Sequence, residues 1–470
     1  MGGLAFSSGD SPLYTPRMPP AVYRHVLDSC CAKLRELYLV VAAPVPGPAK
    51  ADYGDIDIFM AWERNVTSPS STSTDPLKPP SPSITPLGAA AHLLNAERAI
   101  KTKPGAMSIA IPWPNDLPDE IANSYTEDHD DATKPRYIQV DIHHCDSLER
   151  FHWTLFRHAH GDIWNVLGSI LRPFGLTADE VGFYIRIPEI EPLNRKQAKV
   201  LLTNNPSDTL DFLGLKQDQE LWEEPFASAE DLFEYAATCR LFQIRPLPDE
   251  ENDINAKNDD NPDHTTAEDG DIESSVSNSR SRRTKNLRPI YRKWVDEFIP
   301  ACRQAGRFTT QTATRDSVRS EAFNRFPGAQ HAYESRLSDW RKERQRQSLF
   351  RDVIKPSIPE GEPGKPQPPA EQHWRSTAAS ALKKIIMQDD YSLGIRPAAP
   401  LRDSNSGLYD EDKVRRFVDE HWEWVGCVAW KRSQGRYAEK LAVQKGARGA
   451  DGEAADGKAN EKADEKPDEK

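Results

Sequence analysis

The 470-residue chain predicts an α+β fold: a mixed sheet with flanking helices, then a mainly helical unit, then helical C-terminal modules joined by disordered linkers. Three observations carry this. Asp55-Ile56-Asp57-Ile58 and Tyr137-Ile138-Gln139-Val140-Asp141-Ile142 alternate polar and apolar residues in the manner of strands. Apolar residues recur at helical spacing before, between and after these runs. The 38 prolines and 37% hydrophobic residues leave long stretches unable to bury a core. A chain of this length exceeds one core and implies two or three domains.

Residues 1–146 form the sheet domain in this reading. A helix over 19–36 starts after Pro19-Pro20, with Val22, Val26, Ala32 and Leu34 inward. Leu37 to Val45 makes a short strand, and Asp55 to Met60 the next. A Ser/Thr/Pro-rich insertion occupies about 65–85. A helix over about 89–101, a strand over Met107–Ile111 and the strand Tyr137–Ile142 complete the domain. Residues 147–246 read as the mainly helical second domain. Asp162 to Leu171 is one helix, Phe183–Ile187 and Val200–Leu202 suggest a hairpin, Leu213-Gly214-Leu215 ends a helix, and Ser228 to Asp231 caps the next. His160-Gly161-Asp162 places a cap at the start of the 162–171 helix.

Beyond that, 247–286 is an acidic-to-basic disordered linker, 287–355 a basic helical module, 356–370 a Pro-rich linker, 371–444 a helical module and 445–470 a disordered tail. The mean hydropathy of −0.71 and the lack of a long apolar run exclude a membrane span. The N-terminus lacks the features of a signal peptide. Six cysteines without a CxxC pair read as neither a disulfide framework nor a zinc finger, and point to an intracellular protein of nucleus or cytoplasm.

Asp55 and Asp57, two apart on a strand, project from one face, and Asp141 projects likewise from its own strand. Adjacent strands in this register gather three carboxylates, a costly arrangement without a cation. Mg2+ (or Mn2+) suits such oxygen ligands while keeping waters and phosphate oxygens. Five of the twelve histidines fall between 143 and 160. His143 and His144 point to opposite strand faces and His158 and His160 diverge on a helix, which argues for structural or pocket roles rather than zinc.

The run Gly54-Asp55-Ile56-Asp57-Ile58, followed by Val140-Asp141-Ile142, resembles the DNA polymerase beta-type nucleotidyltransferase superfamily, and looks like a fungal branch of it, over roughly residues 1–245. The resemblance implies a D-x-D pair and a distal acid, Asp55, Asp57 and Asp141, holding magnesium as metal ligands and catalytic groups. It implies transfer of a nucleoside monophosphate from a nucleoside triphosphate to an unidentified acceptor, RNA among the candidates. Members carry Gly-Gly or Gly-Ser at a helix start before D-x-D, where amides cradle the triphosphate. Here that position reads Val45-Pro46-Gly47-Pro48-Ala49-Lys50, and prolines remove amide donors. Gly2-Gly3 stands in if the N-terminus folds back; Lys50 and Gly54 complete the nucleotide-binding candidates.

Two other readings share these residues. One is a catalytically inactive scaffold, favoured by the 45–50 departure. The other is RNA or DNA binding through residues 286–355. There Arg336, Arg341, Lys342, Arg344 and Arg346 interleave with Tyr333, Trp340 and Phe350, a pattern an aromatic core stripe with a solvated basic face also produces. Arg280 to Lys285 has the composition of a nuclear localisation signal. Trp422, Trp424 and Trp430 read as core aromatics.

Overall fold

The computed structural model describes residues 3–9, 11–64, 85–115, 117–122, 135–217, 222–244, 288–310, 313–360 and 369–460. Gly2, the 247–286 linker, Arg280–Lys285 and nearly all of the 65–85 insertion lie outside them. The chain divides into two compact units, Met1–Ala332 and Tyr333–Lys470.

The first unit is built on a five-stranded mixed sheet. Its strands are β1 (Tyr38–Ala42), β2 (Asp55–Glu63), β3 (Arg98–Lys103), β4 (Ala106–Pro112) and β5 (Tyr137–Cys145), in the order β1-β2-β5-β4-β3. Only β2 and β5 run parallel. Alternation decides which residues enter the core. Ile56, Ile58 and Met60 of β2, Ile109 and Ile111 of β4, and Ile138, Val140 and Ile142 of β5 face α1 (Pro20–Leu34) and α2 (Pro86–Leu93) in one cluster. Pro20 opens α1 and Thr85 caps α2, its hydroxyl accepting from Gly88 N–H at 3.2 Å. Within α1, Cys30 and Cys31 are buried where Ala32 was expected; Ala32 faces solvent.

The predicted helix over 89–101 is corrected: α2 stops at Leu93, and Arg98–Lys103 pairs with β4 as an edge strand. Its residues are almost all exposed, so no apolar periodicity marks it, and lysines on an edge discourage pairing with another chain.

A short helix, α3 (Asp119–Ala122), follows β4; on the other face of the sheet, Phe59, Ala61, Cys145 and Phe151 form a second cluster under α4 (Leu148–His158). Ser147 caps α4 by accepting from Arg150 N–H at 3.1 Å. α5 (Ile163–Leu171) follows. Asp162 precedes α5 but does not cap it through its side chain: Oδ1 accepts from Asn165 and from Arg288 at 2.9 Å. The expected hairpin is part of a three-stranded antiparallel sheet of β6 (Leu176–Ala178), β7 (Phe183–Arg186) and β8 (Lys199–Thr203). Gly214, φ 66°, ends α6 (Pro206–Leu213), and Ser228 caps Ala229–Ala237 as expected.

The second unit contains most of the helix Ala329–Ser348 and the helices Pro369–Gln388 and Glu411–Asn460, with a π-helical turn over Leu349–Ile354. Leu349, Val353, Leu382, Ile386, Val414 and Val418 belong to its core. Tyr333 is buried and Arg344 lies over the Trp340 ring at 5.2 Å. Trp422 packs against the core, whereas Trp424 is exposed, contrary to expectation. Among the described residues no helix is long and apolar enough to cross a membrane.

Candidate active site

β2 and β5 bring the predicted acids together. Their parallel register sets Asp57 beside Asp141 and Asp55 beside Gln139, while β4 places Ser108 opposite Asp141. All three acids share the face that α4 covers further along the strands, and all three are only partly exposed.

Each carboxylate has its own support. Gln139, 4% exposed, donates from Nε2 to both oxygens of Asp141 at 3.1 Å. Its Oε1 accepts the Ala5 amide at 2.9 Å. The Ser108 hydroxyl donates to Asp141, and the Gly3 amide donates to Asp55. His143 Nε2 is buried 3.6 Å from Asp57 Oδ1, with its ring stacked on Phe59 at 4.6 Å.

Electrostatics follow this geometry. Burial raises Asp55 above the usual carboxylate range, and Asp57 and Asp141 add to the rise; Lys50 and the Gly3 amide oppose it. Burial and Asp57 likewise raise Asp141, against the Ser108 and Gln139 hydrogen bonds and His143. Tyr23, stacked on Tyr53 at 3.8 Å, is raised by burial and by Tyr53, Asp57 and Asp55. Burial lowers His158 below the usual histidine range, with Asp57 pulling the other way.

The N-terminal segment folds back onto the start of these strands. Tyr14 bridges Arg136, Met18 bridges Tyr53, Thr15 Oγ1 donates to the Gly3 carbonyl at 3.0 Å, and Phe6 is buried. Gly3 has φ +86°, and a β-carbon on it would overlap the Gly54 carbonyl. Gly3 and Gly54 are therefore in contact at the site. Lys50 lies with Nζ 5.0 Å from the Tyr53 ring centre, near enough to bias Asp55.

No helix lies between β1 and β2. That connection is tied down instead: His160 N–H donates to the Val45 carbonyl at 2.7 Å, and Gly161 packs on Gly47. His160 is fully buried between Trp222 and Phe226, a structural role. Ser108, Tyr23 and the clamp action of Gln139 were not read from the sequence. Ser108 had a signal, being the sole hydroxyl in the apolar run Met107–Ile111.

Among the described residues, no group of three or more His, Cys, Asp or Glu side chains is arranged to hold a metal ion. The donor chemistry nevertheless fits a hard divalent cation. Three carboxylates share a half-buried face, two have raised affinity for protons, and Lys50 opposes the rise at Asp55. Gln139 and Gly3 engage the carboxylate oxygens that a cation would take.

No protein-family model matches the chain, and no curated protein matches it. Among solved structures, the chain is similar to a ternary P/T complex of Leishmania infantum polymerase beta. That match has 16% identity and a TM-score of 0.29, covering 45% of this chain and 77% of that one. A ternary gap complex of the same polymerase matches at 15% identity and a TM-score of 0.28, covering 43% and 68%. The resemblance is coarse. Values this low carry no weight by themselves, and the chemistry rests on the residues above.

Proposed function

We propose that the first unit is a nucleotidyltransferase-like domain whose Asp55, Asp57 and Asp141 bind Mg2+ or Mn2+ and a nucleoside triphosphate. The observation that carries this reading is the parallel β2–β5 register, which sets Asp57 beside Asp141 with Asp55 on the same face. A divalent ion bound there would neutralise the cluster and polarise phosphate oxygens. Asp55 and Asp57 would hold it, and Asp141 would help orient an attacking hydroxyl, itself held by Ser108 and Gln139. Lys50 would meet the phosphates, and the close Gly3–Gly54 backbone contact would border them, while Gly2 and the RNA or DNA role of 286–355 remain part of the proposal.

A second reading has its own support: a scaffold that kept the fold without turnover. The lack of a helix between β1 and β2, and the Gly3 and Gln139 contacts on the carboxylates, favour it. Calorimetry with Mg2+ or Mn2+ and each of four ribonucleoside triphosphates separates the two. Metal-dependent binding, lost in Asp55→Ala/Asp57→Ala, supports the transferase. A folded wild type that binds no nucleotide leaves the scaffold.

A further inference from the structure

We propose that the groove between helices Pro369–Gln388 and Glu411–Asn460 binds phosphate groups, a site separate from the carboxylates and independent of how they are read. The groove has a volume of about 390 Å³, within the roughly 300–1,000 Å³ of small-ligand sites. Helical spacing builds its walls. Ser376, Ser380 and Lys384 succeed one another at i, i+4 on the first helix, and Arg432 and Arg436 do so on the second; all five line the cavity.

Three cations, Lys384, Arg432 and Arg436, therefore meet one carboxylate, Asp390, in a lining rich in hydroxyls. Arg432 uses one N–H on Ser392 Oγ at 3.2 Å, and Asp390 accepts the Ser392 amide at 3.1 Å. Arg432, Lys384 and Arg436 are all exposed. Forked guanidinium donors beside hydroxyls match the oxygens of a phosphoryl group. The walls are firmly set. Gly426 lets the second helix approach Trp374, where a β-carbon would lie 2.5 Å from Cζ2, and Leu382, Ile386 and Val425 are buried beneath.

Phosphate could come from a small phosphorylated molecule or from a nucleic-acid backbone, and the experiment distinguishes them. Full-length protein is titrated with pyrophosphate, ATP and a short fluorescein-labelled oligothymidylate, all in EDTA so that cation-dependent binding at the carboxylates is silent. The groove variant is Arg432→Gln/Arg436→Gln. The control, Arg415→Gln/Lys431→Gln, removes the same charge from exposed positions of the same helix outside the groove. Lys384→Gln serves as a second groove variant should the double one misfold.

The expected result is affinity weakened about tenfold or more in the groove variants and unchanged in the control. Loss confined to pyrophosphate or ATP assigns a small phosphate ligand; loss confined to the oligonucleotide, with a shallower salt dependence, assigns a phosphodiester backbone. Equal losses in groove variant and control, or no binding of any probe at about 1 mM, would overturn the proposal.

Discussion

Asp55 carries a cost that its site imposes. Burial and the neighbouring Asp57 and Asp141 raise its folded-state pKa, so the native state holds the proton more tightly than the unfolded chain. Below the unfolded value both states are protonated and no difference arises. As pH climbs through the raised folded value, the unfolded state gains more from ionising, and stability falls. Asp55→Asn should therefore raise Tm at pH 7 by on the order of 2–4 °C, with the gain disappearing near pH ~4. Thermal melts across pH check this; a lower Tm at neutral pH would show that the Gly3 contact matters more than the repulsion. Gly3→Ala should cost about 1–3 kcal/mol, because its φ of +86° disfavours a side chain and the Gly54 carbonyl blocks one. Urea titration measures it, and wild-type stability would contradict the packing of the N-terminal segment. The three acids were legible because strand alternation assigns a face to each residue from local sequence alone. Ser108 and Gln139 were not legible as supports, since their meaning depends on which strands become neighbours.

At the scale of elements, β2, β5 and α5 could be read because their periodicity reflects burial on one face. β3 could not, because an exposed edge strand owes its structure to pairing with β4 rather than to its own pattern. A contact equally hidden from sequence ties the helix Arg315–Arg325 to β7: Glu191 accepts from Arg186 at 3.0 Å and from Arg315 at 2.7 Å. Burial alone would push Glu191 up, but the two guanidinium bonds outweigh it and hold the carboxyl below its usual range. The stabilisation is thus present above the unfolded carboxyl pKa and is lost as pH falls through the depressed folded value. Glu191→Gln should cost about 1–3 kcal/mol at pH 7, and progressively less in acid, by denaturant titration at several pH values. A pH-independent loss would mean that shape rather than charge sets this contact. In the second unit, Gly426→Ala should lower Tm. Overlap with Trp374 costs about 1–3 kcal/mol, against roughly 1 kcal/mol regained in helix propensity; a higher Tm would show that the helices give way easily.

For the whole molecule, the net charge of −12 is a poor guide to partners. Carboxylates gather on the β2–β5 face of the first unit, while Lys384, Arg432 and Arg436 gather in a groove of the second. The α+β class was legible from strand alternation followed by helical spacing and linkers. The division at Ala332–Tyr333 was not, because it falls inside the helix Ala329–Ser348, where composition does not change. The central claim is that Asp55, Asp57 and Asp141 form a divalent-cation site, and Mn2+ titration followed by electron paramagnetic resonance tests it most directly. The account predicts saturable Mn2+ binding by the wild type, competed by Mg2+ and lost in folded Asp55→Asn/Asp57→Asn. Binding that survives unchanged in that variant, or no binding by the folded wild type, would contradict it.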